Sequence, residues 1–131
     1  TAVRASSAVP AVFQPVRISG RDYVDGGLVS PVPVRAALQM GAELVVAVDI
    51  SSPPEGNTSG STLDVLLQTF TIMSKSINFF ELKEADVVVR PALIGVSSAD
   101  FSSRKRSIEA GRQAMLQMLP SLKAAMAAKS H

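Results

Sequence analysis

Tyr23-Val24-Asp25-Gly26-Gly27-Leu28-Val29-Ser30-Pro31-Val32-Pro33 is the stretch that decides how this chain reads. Asp22-Tyr23-Val24 has the make-up of a short strand. Ser30 can cap a helix whose first turn tolerates Pro31 and Pro33. Asp25 therefore falls on a glycine-supported turn between strand and helix, where α/β enzymes place a catalytic base. On residues alone, Asp-Gly-Gly is more often a plain turn, because Asp accepts local N–H groups and Gly tolerates positive φ. The catalytic alternative needs the carboxylate within about 3 Å of a hydroxyl whose proton it takes without histidine. Gly26 and Gly27 then keep side-chain bulk away from the reacting atoms.

Upstream, Ala5 to Val9 reads as one helical turn stopped by Pro10. Val16-Arg17-Ile18 is a strand partner for Asp22 to Val24 across Ser19-Gly20-Arg21, a glycine-containing hairpin turn. Downstream, Val34 and Leu38 share a face of the helix after Ser30, and Gly41 stops it. Leu44 to Val48 and Val87 to Val89 are continuous apolar runs, the pattern of parallel strands buried on both faces. Residues 51–61 read as a mobile Pro/Gly/Ser-rich loop, and Leu93 to Phe101 as a second loop. Leu63, Leu66, Leu67, Phe70, Met73, Ile77 and Phe80 recur at helical spacing, with the Met and Phe residues expected in the core and a lipid-facing or partner-facing surface as the alternative. A final helix capped by Ser102 or Ser103 carries Ile108, Met115, Leu119, Leu122 and Met126 on one side, and Pro120 is expected to break it. Strands alternating with helices argue for a three-layer α/β domain.

The chain has 131 residues, one domain's worth, and its 47% hydrophobic content excludes disorder over most of it. A net charge of +2 implies no polyanion partner, so no nucleic acid is expected. The basic cluster Arg104-Lys105-Arg106 has no interleaved aromatics and reads first as a solvated helix face, with phosphate or an anionic membrane surface as the alternative. Cysteine is absent, which excludes disulfides and thiolate metal sites and fits a reducing compartment. The single histidine is the terminal His131, a tag remnant or frayed end, so neither an internal histidine base nor a histidine metal site is available. No apolar run reaches the roughly 18 residues of a membrane span. No signal peptide is visible, and a cytoplasmic location is expected. The start at Thr1 rather than Met implies that preceding residues were removed.

Other candidates weigh less. Gly95-Val96-Ser97-Ser98-Ala99 is a loose elbow motif, but Pro91 to Ile94 separates it from the preceding strand. The acid and histidine also do not follow in the required order, so Ser97 reads as a loop residue. Ser6 and Ser7 read as caps or small packing residues rather than nucleophiles. Thr1 lacks the rest of an N-terminal nucleophile site. Asp49 ends a buried strand where open sheets bind ligands, but no G-x-G-x-x-G follows any strand. A capping role therefore outweighs nucleotide binding.

Taken in order, Arg4-Ala5-Ser6-Ser7-Ala8-Val9-Pro10-Ala11-Val12-Phe13, Asp25-Gly26-Gly27, Ala85-Asp86-Val87-Val88-Val89-Arg90-Pro91, Asp100-Phe101-Ser102 and Ile108-Glu109-Ala110-Gly111 resemble the later part of a patatin-like phospholipase of the small bacterial type. The resemblance runs from Arg4 to about Leu119. That family uses a Ser-Asp dyad without histidine, its serine in an upstream G-x-S-x-G elbow and its aspartate in D-G-G or D-G-A. The resemblance implies Asp25 as the base. It implies Gly26, Gly27, Ser6, Ser7 and Pro10 as pocket-lining or supporting residues. It also implies a three-layer α/β/α patatin-like fold with a mainly parallel sheet, incomplete in this chain. Residues 1–131 are then the C-terminal part of one domain. The nucleophile and the glycine-rich oxyanion loop are expected in an N-terminal segment of the same protein, so this segment alone is expected to be inactive. The implied function is hydrolysis of lipid or carboxylic esters with no metal or cofactor. Peripheral contact with a membrane and homo-oligomer formation are further partner expectations. A non-catalytic binding module on the same fold is the alternative, and a nucleotide-binding α/β domain a weaker one.

Overall fold

The computed structural model describes residues 1–51, 60–96 and 101–130. Their elements are α1 (Ala2–Ser6), β1 (Val16–Ile18), β2 (Arg21–Tyr23), a 3-10 turn (Gly26–Leu28), α2 (Val34–Gln39), β3 (Val46–Val48), α3 (Thr62–Glu81), β4 (Val87–Val89) and α4 (Arg104–Lys129). The class is α/β, with β3 and β4 paired in parallel and β1 and β2 forming a separate antiparallel pair. The chain divides into two compact units: Thr1–Pro31 with Pro53–Asn78, and Val32–Ser52 with Phe79–His131.

In the first unit the hairpin aligns Val16 with Tyr23 and Ile18 with Arg21. Its turn is two residues, Ser19 and Gly20, at φ 49° and 80°. Two positive φ values make the turn whose twist matches paired strands, and Gly20 takes its share without steric cost. The helix lies earlier than expected, ending at Ser6, and Ala5, Ala8 and Val16 form a small core against Ile18. Helix α3 starts at a reciprocal cap: the Asp64 N–H donates to Ser61 Oγ (3.1 Å) and Ser61 Oγ donates to Asp64 Oδ2 (2.6 Å).

The apolar stripe of α3 is not a core. Met73 is 51% exposed and Phe80 60%, and Leu63, Leu66 and Leu67 are also exposed. Large apolar residues stand on several faces of this helix, including Val65, Ile72 and Phe79, so no single stripe can be buried. Its one buried residue is Asn78, whose side-chain N and O have no hydrogen-bond partner among the described residues.

In the second unit α2 begins at Val34 behind Pro33, later than a cap at Ser30 would set it. Proline at the cap position carries no N–H to satisfy and cannot extend the helix backward. The helix closes as expected: the Gly41 N–H bonds to Leu38 O and the Ala42 N–H to Ala37 O, with Gly41 at φ 94°. Val34 is buried with Val45, Ala47 and Leu82, and Ala37 packs on them, while Leu38 lies on the exposed side. Full burial of a valine contributes about 1.5–3 kcal/mol.

Strand β4 is buried in the expected manner, Val87 and Val89 against Ala114, Met115, Met118 and Leu122 of α4, and Val88 toward the Val34 cluster. Strand β3 differs. Val45 and Ala47 are buried, but Val46 and Val48 are exposed, because nothing among the described residues covers that face. Helix α4 runs unbroken through Pro120, which removes one ladder donor without ending the helix. Its packed face is Ala114, Met115, Met118, Leu122 and Ala125; Ile108 and Met126 point away and are exposed.

Candidate active site

Asp25 is positioned by its own backbone and by the glycine two residues on. Its N–H donates to Ala8 O (3.0 Å), which ties the turn to the buried end of the α1 segment. Its side chain caps the 3-10 turn: the Gly27 N–H donates to Oδ1 at 2.7 Å. Oδ2 has no partner among the described residues. The carboxylate is thus held by one oxygen and presents the other.

The two glycines are not equivalent. A Cβ at Gly27 would lie 3.0 Å from Asp25 Oδ1, tighter than nearly all real contacts, whereas one at Gly26 would meet nothing within 4 Å. A side chain at Gly27 would press on the carboxylate that its amide holds, which would have to give by a few tenths of an ångström. Gly26 leaves open space beside the turn.

Asp25 and Gly27 border a cavity of about 170 Å³. Val9 and Pro10 form one wall and Leu28 another. The third comes from α3, where Phe70, Met73 and Ser74 share a face at spacings of three and four. Asp25 is the only ionisable residue in this lining among the described residues. A carboxylate with one free oxygen beside an apolar cavity can accept a proton from a hydroxyl brought next to it, while the cavity takes up hydrocarbon.

The structure brings together Pro10, Asp25 and Gly27 around one cavity. Ser6 and Ser7 stand elsewhere: both are exposed, and Ser7 lines a different cavity, of about 450 Å³, with Phe13 and Pro15. Sequence reasoning missed Phe70, Met73 and Ser74. The helical spacing places Phe70 and Met73 on one apolar stripe that reads as core, and carries no sign that they border the Asp25 cavity. Ser74 is the cavity's one hydroxyl among the described residues, but it sits inside a regular helix rather than on an exposed turn.

The competing carboxylate Asp49 is saturated. Its Oδ1 accepts from the Ser51 N–H (3.1 Å) and Ser51 Oγ (2.6 Å), and its Oδ2 is 3.4 Å from Arg90 Nε. It is the turn-capping group that the absence of a phosphate loop implied. Ser97 and its neighbours through Asp100, residues 52–59 of the first loop and His131 lie outside the described residues. Among the described residues no group of His, Cys, Asp or Glu could hold a metal ion, and no helix is long and apolar enough to cross a membrane.

Comparison with known proteins gives matches to parts of the chain. Residues 1–38, which include α1, the hairpin and the Asp25 turn, match the family model described as patatin-like phospholipase. An uncharacterized NTE family protein of Mycobacterium tuberculosis is 31% identical over 75 residues, 57% of this chain and 21% of the relative. A protein of the same description from Mycobacterium bovis gives the same figures. Another M. tuberculosis protein of that description is 26% identical over 149 aligned positions, 92% of this chain and 26% of the relative. The chain therefore spans about a fifth to a quarter of the length of these relatives.

Proposed function

We propose that this chain carries the aspartate of a Ser-Asp dyad in an acyl hydrolase acting on lipid or carboxylic esters. The observation that carries the reading is Asp25, anchored through Oδ1 to the Gly27 amide, open at Oδ2 and set on an apolar cavity. The similarity of residues 1–38 to patatin-like phospholipases supports it.

In this reading the serine comes from a segment of the protein outside this chain, together with the donors that stabilise the oxyanion. The serine oxygen attacks the ester carbonyl as its proton passes to Asp25. The bond to the alcohol then breaks, and Asp25 returns that proton to the departing oxygen. Water repeats the path: Asp25 takes its proton, its oxygen joins the acyl carbon, the serine ester bond breaks, and the proton goes back to the serine. Ester and water yield acid and alcohol, with Asp25 unchanged. The open face of β3, with Val46 and Val48, is a surface for the same additional segment to cover. Peripheral contact with an anionic lipid surface through the exposed Arg104, Lys105 and Arg106 belongs with this reading.

The test uses the whole protein that contains this chain. Asp25→Asn keeps the side-chain shape and removes the base. Loss of about 10²–10⁴ in turnover of a p-nitrophenyl ester is expected, with an unchanged melting curve. Ser74→Ala is expected to retain turnover; its loss would move the nucleophile onto α3. Near-normal turnover by Asp25→Asn would contradict Asp25 as the base, and absence of turnover in the wild-type protein would favour a non-catalytic module on the same fold.

A further inference from the structure

We infer that Phe70 and Met73 of α3 set the acyl-chain length that the site accepts, and that the acyl groups taken up in full are short. The inference rests on the esterase reading of Asp25. It comes from the shape and chemistry of the cavity beside that carboxylate.

Phe70, Met73 and Ser74 form one face of a regular helix and line the same cavity as Asp25. An ester whose carbonyl lies at the serine that Asp25 serves can lay its acyl carbons in this cavity, since Val9, Pro10 and Leu28 are apolar as well. The space measures about 170 Å³. An apolar cavity of about 150 Å³ holds one benzene ring, so this one accommodates about four to six carbons. A longer chain meets Phe70 and Met73 or leaves through the mouth into water. The two residues divide the work. Phe70 is half-buried and fixes the wall, while Met73 is 51% exposed, unbranched and able to move aside. Met73 is thus the side chain whose size decides where the chain ends.

The experiment measures kcat/KM of the whole protein on a series of p-nitrophenyl esters from acetyl to decanoyl. Wild type is expected to peak at butyryl to hexanoyl. Met73→Ala should raise the octanoyl-to-butyryl ratio by about tenfold or more, the scale on which hydrophobic pockets discriminate methylenes. Met73→Phe should depress hexanoyl turnover while acetyl turnover survives. Phe70→Ala should act in the direction of Met73→Ala, and its fold is checked by melting. Met73 is exposed enough that its own variants test the idea even if Phe70→Ala unfolds. A chain-length profile unchanged in both Met73 variants, with Asp25→Asn still inactive, overturns the inference and leaves the esterase reading standing. Turnover that survives Asp25→Asn overturns that reading and the inference with it.

Discussion

Asp25 and Asp86 are two aspartates at strand ends, one in each unit, and they are used in opposite ways. Asp86 is consumed by structure. Its Oδ2 accepts the Val45 N–H (2.8 Å), its Oδ1 is 2.7 Å from Lys129 Nζ, and its own N–H donates to Val45 O (3.0 Å). It locks the start of β3 to β4 and holds the end of α4, where Lys129 also donates to Glu43 O. Asp25 spends one oxygen on Gly27 and keeps the other beside an apolar cavity. A carboxylate with a fixed donor on each oxygen is stabilised in its ionised form and is the poorer proton acceptor. The count of satisfied oxygens distinguishes the two aspartates and is the reason Asp25 is the one proposed as the base.

Substituting Gly27 gives the largest effect within this comparison. Gly27→Val places branched carbon against Asp25 Oδ1, where a Cβ alone is already at 3.0 Å, and should cost most of the ester turnover. Gly26→Ala enters open space and should leave the folded state intact. Paired kinetics and melting curves check both. Equal tolerance at the two positions would mean that the carboxylate's placement does not depend on Gly27.

The complementary change is Asp86→Ala, which should lower the melting temperature while leaving turnover per folded molecule unchanged. A normal melting temperature would show that the Lys129 and Val45 contacts are dispensable.

Acidity sharpens the contrast. The hydrogen bond from Lys129, followed by that from the Val45 N–H, holds the Asp86 carboxyl below its ordinary range. A group whose folded value is depressed contributes stability above its unfolded value, about 3.9 for aspartate, and loses it as pH falls through the folded value. Glu109 is lowered in the same direction, first by its bond from Gln113. Melting followed from neutral pH to below about 3.9 should therefore fall less steeply in Asp86→Asn than in wild type. Parallel curves would remove Asp86 from the account of acid stability.

The smallest expected effect concerns Asn78, buried with an unpartnered amide. Leaving such a group unsatisfied costs about 1–3 kcal/mol, so Asn78→Leu should raise stability by up to that amount in denaturant melts. A loss of stability would mean that the amide is satisfied in the whole protein.

Much of the fold was legible where one residue fixes the backbone. Ser19-Gly20 announced the hairpin and Gly41 the end of α2, because positive φ is a local property. Val87 to Val89 announced a buried strand, because it packs on both sides. The rest depended on partners that local pattern does not name. Val46 and Val48 have the same composition as β4 but an open face. Pro120 lies within α4 even though proline usually ends helices. Asp25-Gly26-Gly27 could be read as a candidate base, yet its cavity could not, since Phe70 and Met73 reach it from a helix distant in sequence whose apolar stripe reads as core. Ser6 and Ser7 were drawn toward the site by resemblance, and the chain carries them to its surface.

The most direct measurement is ester turnover by the whole protein carrying Asp25→Asn beside the same protein carrying Asp86→Asn, each normalised to its folded fraction. The expected result is a loss of about 10²–10⁴ for Asp25→Asn and wild-type turnover for Asp86→Asn. Equal turnover in the two variants, or a loss confined to Asp86→Asn, would contradict the assignment of Asp25 as the base.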